Sequence, residues 1–201
     1  DYNYAFDPKV ALRRFFQSEK KHDYCFLVDE AHNLVERARE MYSAILVKDD
    51  FLAVKKLVKV RSKKLDKKLA ACNRKLLLLR KEWEEAKDSG IEYNPNSLVD
   101  QFMITVMNAT TEFDIFLNEY TDFPERDKVM DLYFDIFHFM NMYEIMNEKY
   151  KIYLNEDEEG RFFVKLQCMD PSDNLKVCLD KGRSAVFFSA TFLPIQYYKE
   201  Q

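Results

Sequence analysis

Leu27-Val28-Asp29-Glu30-Ala31-His32-Asn33-Leu34 completes a run that begins Tyr24-Cys25-Phe26, and its two halves differ in chemistry. The first half is continuously apolar, the pattern of a strand buried on both faces as in a parallel sheet. The second half opens on two adjacent carboxylates and a histidine. In nucleotide hydrolases an acid at the carboxyl end of a buried strand holds Mg²⁺ on the phosphates, and the next acid can polarise the attacking water. A second run of the same kind, Ala185-Val186-Phe187-Phe188, ends in Ser189-Ala190-Thr191. Small hydroxylated side chains there can hydrogen-bond the first site and relay the presence of a γ-phosphate. The two runs together predict an α/β part in which Asp29, Glu30 and His32 meet Ser189, Ala190 and Thr191.

Between these strands the pattern becomes helical. From Lys48 to Gly90 apolar residues recur at 3/4 spacing (Phe51, Val54, Val58, Leu65, Leu69, Cys72, Leu76, Leu79, Trp83), with a polar interruption at Arg61. Asp49 or Asp50 is the expected N-cap and Ser89-Gly90 the expected stop. Unbroken, a helix over the stripe from Phe51 to Ala86 would be roughly 55 Å long at about 1.5 Å per residue, so it must bend or project. Two further helices are expected, from Leu98 to Tyr120 after the Pro95-Asn96-Ser97 turn, and from about Glu125 to Glu148. Tyr150–Asn155 and Arg161–Cys168 then alternate as a hairpin about the acidic turn Glu156–Gly160. That turn fits only the early positions of a calcium loop, because Leu166 stands where the bidentate Glu belongs. The expected organisation is residues 1–47 and 150–201 in the α/β part, with residues 48–149 as a helical insertion.

Composition narrows the chemistry. The 201 residues are 47% apolar and 33% charged, which excludes disorder and suits one large domain or two small ones. The only glycines are Gly90, Gly160 and Gly182, so neither a GxxxxGK[ST] phosphate loop nor a GxGxxG fingerprint exists in this chain. The opening DYNYAFDPKVALRR lacks the apolar core of a signal peptide, and no stretch reaches membrane-spanning length. Cys25, Cys72, Cys168 and Cys178 contain no CxxC pair. They read either as reduced thiols in apolar surroundings or as distant members of a metal site. The expected compartment is the cytoplasm, or the nucleoid of a bacterium.

At this point the chain resembles a known family. The start DYNYAFDP, the segment FLVDEAHNLVERARE, the segment LQCMDPSDNLKVCLDKGRSAVFFSATFLP and a helical insertion of about 120 residues between DEAH and SAT are similar to the XPD/DinG-type iron–sulfur DNA helicases of superfamily 2. The resemblance implies part of a RecA-like motor domain 1 with an inserted Arch domain, which in that family helps form a channel for single-stranded DNA. It implies that Asp29 and Glu30 are the Walker B acids, with Asp29 on the Mg²⁺ of ATP, and that His32 couples the box to motor movement. Ser189, Ala190 and Thr191 would be motif III, and ATP would drive 5′ to 3′ unwinding, with a role in DNA repair. The family's phosphate loop, 4Fe-4S ligands and second motor domain have no counterpart in this chain, so the segment by itself is expected to hydrolyse no ATP.

Charge is strongly segregated. Residues 48–90 carry 14 basic and 7 acidic side chains, and residues 91–160 carry 4 basic and 16 acidic. Lys56, Lys63, Lys67, Arg74 and Lys81 recur at helical intervals and can track a DNA backbone, while Lys55, Lys59 and Lys63 form an i, i+4 row. The same charges equally suit a solvated face, or one paired with the acidic body. Tyr2, Asn3 and Tyr4 can stack on bases or pack at a strand entry. His22 and His138 have no partner constellation in the sequence. The contrasting functional class is a non-catalytic helical module that docks partner proteins; a fused nuclease finds no clustered acidic site to support it.

Overall fold

A computed structural model describes residues 3–9, 23–90 and 93–191; the expectations for Tyr2 and His22 fall outside them. The fold is mixed α/β and divides into two units, one of residues 1–43, 146–151 and 167–201, the other of residues 44–145 and 152–166. The helical unit therefore starts before residue 48, and it takes in most of the hairpin that was expected in the α/β part.

In the first unit, α1 (Asn3–Phe6) precedes β1 (Cys25–Val28), and α2 (Leu34–Met41) follows it. After the helical insertion come α7 (Ser172–Leu179) and β5 (Ser184–Phe187). β1 and β5 pair in parallel, from Cys25 opposite Ser184 to Val28 opposite Phe187. The chain approaches this pair tightly at Gly182, where an added Cβ would lie 2.7 Å from the Phe26 ring. Phe26 in turn packs on Phe6, with ring centroids 5.8 Å apart. Tyr42 is buried and donates its hydroxyl to the Phe6 carbonyl at 2.7 Å. Burial pushes its phenol far above the ordinary range, so it stays a donor.

Neither strand is buried on both faces, contrary to the expectation from their apolar runs. In β1 burial alternates, with Phe26 and Val28 buried but Cys25 exposed and Leu27 72% exposed, and β5 is largely exposed. Among the described residues β1 has β5 as its one strand neighbour, and its alternate side chains, which point to one face, are the covered ones. Cys25 is thus an exposed thiol and not a buried one.

In the second unit β2 (Ala44–Val47) leads into α3 (Lys48–Val58), α4 (Lys63–Ser89), α5 (Asn96–Glu119) and α6 (Arg126–Glu144). The hairpin strands are β3 (Tyr150–Glu156) and β4 (Phe162–Cys168), and the three-stranded order is β2-β4-β3. The long helix expected from Lys48 to Gly90 is two helices. Arg61 and Ser62 donate their amides to the Val58 carbonyl and end α3, and the Ser62 hydroxyl then accepts the Leu65 amide at 3.2 Å to cap α4. The break is held by Tyr120, which donates to the Arg61 carbonyl, while the Arg61 guanidinium lies 4.9 Å over Phe123. Val47, not Asp49 or Asp50, is the cap residue of α3; both acids sit in its first turn, where the helix dipole favours them. Gly90 ends α4 at φ 65°, a left-handed conformation that glycine adopts without strain.

Leu65, Leu69, Cys72, Leu76 and Leu79 are fully buried along one face of α4, as their 3/4 spacing requires. The hairpin packs here too: Trp83 meets Phe162 at 5.8 Å between ring centroids, and Arg80 pairs with Glu156. This contact, together with β2 pairing antiparallel to β4, places the hairpin with the helices. Within its acidic turn the Asp157 carboxylate accepts the amides of Glu159 and Arg161 and the Arg161 guanidinium. No helix among the described residues is long and apolar enough to cross a membrane.

Two adjacent leucines of α4 test the packing. Leu76 is fully buried and Leu77 is 46% exposed. Leu76→Ala is expected to lower the unfolding free energy by about 2–5 kcal/mol, and Leu77→Ala by less than about 1 kcal/mol, in urea denaturation of the two variants. Equal losses would mean that the helix presents a different face.

Candidate functional site

Parallel pairing in register makes β1 and β5 finish at the same edge, so the residues after Val28 and after Phe187 emerge side by side. The backbone carries the pairing further: Phe188 donates its amide to the Val28 carbonyl at 3.0 Å, and Ala31 donates to the Phe188 carbonyl at 3.2 Å. Between these bonds the chain must turn sharply. Glu30 does so at φ 50°, ψ 38°, the one non-glycine residue with positive φ among those described. The Asp29 carboxylate holds the turn by accepting the Glu30 amide at 2.8 Å. A 3₁₀ turn (Ala31–Asn33) then passes into α2.

That turn brings His32 to Ser189. His32 Nδ1 lies 2.7 Å from Ser189 Oγ and 3.1 Å from a Glu30 carboxylate oxygen. Ser189 Oγ is also 3.4 Å from Glu30, accepts the Thr191 amide at 3.2 Å, and lies 3.3 Å from the Thr191 hydroxyl. Ser189 is the hub. Its single hydroxyl proton can go to neutral His32 or to Glu30, so the choice of hydrogen bond is tied to the state of the histidine and of the carboxylate. Ala190 occupies the turn between the two hydroxyl residues and is exposed. Residues 157 positions apart in the chain are thus joined directly.

Asp29 and Glu30 are exposed and line a cavity of about 620 Å³ with Asn3, Phe6, Val28 and Arg37. In the sequence Arg37 is one charge among several in LVERARE; its position one turn into α2 is what brings it to the acids' cavity. It also pairs with Glu40 at 3.2 Å. Among the described residues no three His, Cys, Asp or Glu side chains converge as metal ligands. A divalent cation at the Asp29–Glu30 pair would have to take most of its ligands from phosphate and water. Of the four cysteines, Cys25 is exposed, Cys178 half-buried, and Cys72 and Cys168 buried, with burial pushing the Cys72 thiol up to about 12.

The five basic residues singled out for DNA are all exposed. Lys63, Lys67, Arg74 and Lys81 share one face of α4, while Lys56 stands on α3 beyond the helix break. Lys81 also lies 3.6 Å from Glu85. The expected Lys55, Lys59, Lys63 row does not form, because the break separates its members and Lys55 pairs with Asp66 at 3.1 Å.

Comparison with protein-family models and with curated proteins finds no match to this chain.

The left-handed turn at Glu30 is open to test. A non-glycine residue there costs about 1–2 kcal/mol, whereas glycine pays mainly in unfolded-chain entropy. The exposed Glu30–His32 pair offsets little of this. Glu30→Gly is expected to leave the unfolding free energy unchanged or up to about 1 kcal/mol higher, and Glu30→Val to lower it by about 1–2 kcal/mol. Equal destabilisation by both in denaturant melts would show that the side chain, not the backbone, sets the cost.

Proposed function

We propose that this chain is a segment of an ATP-dependent DNA helicase of the XPD/DinG type, with the β1–β5 unit as part of its RecA-like motor domain 1 and the helical unit as its Arch domain. What supports the reading above all is the 2.7 Å approach of His32 to Ser189, which joins the DEAH and SAT sequences at the ends of two parallel strands. Such a junction at the carboxyl ends of parallel strands is where open α/β sheets bind ligands.

The roles follow from position. Asp29 would hold Mg²⁺, which when bound with ATP supplies positive charge against the phosphate oxygens. Glu30, on the same cavity, accepts a proton from the water that attacks the γ-phosphoryl group. When Glu30 changes charge or partner, Ser189 redistributes its hydrogen bonds between Glu30 and His32, and Thr191 follows through the Ser189 hydroxyl. In this way hydrolysis is read out along β5. The basic face of α4 contacts the backbone of single-stranded DNA through Lys63, Lys67, Arg74 and Lys81, with Lys56 as an outlying contact.

In the complete gene product, Glu30→Gln is expected to lower DNA-stimulated ATP hydrolysis by about 10²–10⁴-fold, read by phosphate release. Ser189→Ala is expected to retain most of the hydrolysis but lose unwinding of a tailed duplex. Full hydrolysis in Glu30→Gln would remove this reading.

Anisotropy of labelled single-stranded DNA tests the basic face. Binding at low salt is expected to weaken steeply toward about 200 mM, and the Lys56→Glu/Lys63→Glu/Lys67→Glu variant to flatten the salt slope by up to about 3. An unchanged slope would confine these lysines to solubility.

A further inference from the structure

Two tyrosine–aspartate hydrogen bonds bracket an exposed face of the helical unit. Tyr133 of α6 donates its hydroxyl to Asp114 of α5, and Tyr143 donates to Asp100. The two helices are therefore antiparallel. Asp100, Ile104, Met107, Thr111 and Asp114 follow the 4-3-4-3 spacing of one helix face, so the residues between the two bonds lie on the α5 stripe that borders α6. On α6, Tyr133 packs against Phe137 and Phe134, with ring centroids 4.8 and 5.8 Å away. Burial and the adjacent carboxylates push both tyrosines up to about 12, so neither bond is lost near neutral pH.

The face between the brackets is apolar and uncovered. Ile104 is 61% exposed, Met107 54%, Phe134 55% and Phe137 37%. Single exposed apolar residues are ordinary, but a contiguous group of large ones marks an interaction surface. The charge carried by the two helices is mostly of one sign, with Lys75 of α4 reaching Gln101 at 2.8 Å on the far edge of α5. Within Asn96–Glu119 there is no Lys or Arg, and the only basic residues of α6 are Arg126 and Lys128 at its start, whereas Asp131, Asp135 and Glu144 follow.

We propose that this α5–α6 face is a docking site for a basic amphipathic helix of a partner protein. Its apolar side chains would lie on Ile104, Met107, Phe134 and Phe137, and its lysines or arginines would meet Asp100, Asp114 and Asp131. This is recognition of a helix in a groove, with charge complementarity selecting the partner and its register. Nucleic acid is repelled by the same carboxylates. A second copy is the competing occupant, because α4 of this chain itself carries exposed Leu77 between Arg74 and Lys81.

The test titrates the full chain into a fluorescein-labelled peptide of about 20 residues, with leucines at i, i+3, i+4 and i+7 and lysines elsewhere, beside a scrambled peptide of the same composition. The patterned peptide is expected to bind, and the scrambled one at least about tenfold more weakly. A Met107→Glu/Phe134→Glu variant is expected to lose at least about tenfold in affinity with its urea midpoint unchanged, since both side chains face solvent. Failure of the patterned peptide to bind, equal binding of the two peptides, or equal affinity of the variant would overturn the proposal. Sedimentation velocity on the chain alone distinguishes the competing occupant: a dimer that the same variant dissolves would assign the face to a second copy and overturn the partner helix.

Discussion

The parallel pairing of β1 with β5 is the constraint on which the candidate site depends. It brings together segments near opposite ends of the chain, and without its register Ser189 would have no reason to meet His32. Pairing at such sequence separation is entropically costly, although the cost grows only slowly with loop length. The helical unit lowers it by closing on itself. Ala44, its first residue, is the ladder partner of Leu166, its last, so the unit begins and ends at one place. On the other side of that division Ser43 accepts the amide of Cys168 at 2.9 Å, which fastens the corresponding ends of the first unit. An insertion whose ends meet can be long without separating the strands that flank it.

The site itself combines a strained backbone with a crowded hydroxyl. Glu30 is held in a left-handed conformation by an Asp29 bond to its own amide, and that conformation is what directs Glu30 and His32 to the same serine. Residues held in such conformations tend to be those whose side-chain placement matters, and the surroundings must over-determine them. Here the surroundings are the two backbone bonds from Phe188, one on each side of the turn. A serine with several potential partners and one proton is suited to switching because its hydrogen bonds compete.

Charge segregation acquires two different meanings in the structure. The basic residues of α4 spread along an exposed face that the half-exposed Leu77 and Leu78 share. The acidic helices instead enclose four exposed apolar side chains between two buttressing tyrosines, a surface suited to a helix. Composition alone does not separate these cases, since it counts charge without saying what lies beside it.

Local pattern was enough to read the helices, because the 3/4 spacing of Leu65, Leu69, Cys72, Leu76 and Leu79 leaves only one face to bury. It was also enough to read the two apolar runs as strands and to mark Asp29, Glu30, His32 and Ser189 as their chemical ends. β2 has its signal in the short apolar run Ala44-Ile45-Leu46-Val47, which stands beside much longer helical signals. Other features had a weak local signature or none. Arg61 became a helix break through a serine cap and a distant tyrosine, and Cys25 became exposed because β1 gains cover on one face. Arg37 reached the cavity of the acids through the pitch of α2. By itself the sequence determined which residues are apolar at which period, since that is a property of neighbours along the chain. Only the tertiary structure decided which strand faces are covered and which polar groups meet, because those depend on segments that folding brings together across more than 150 residues.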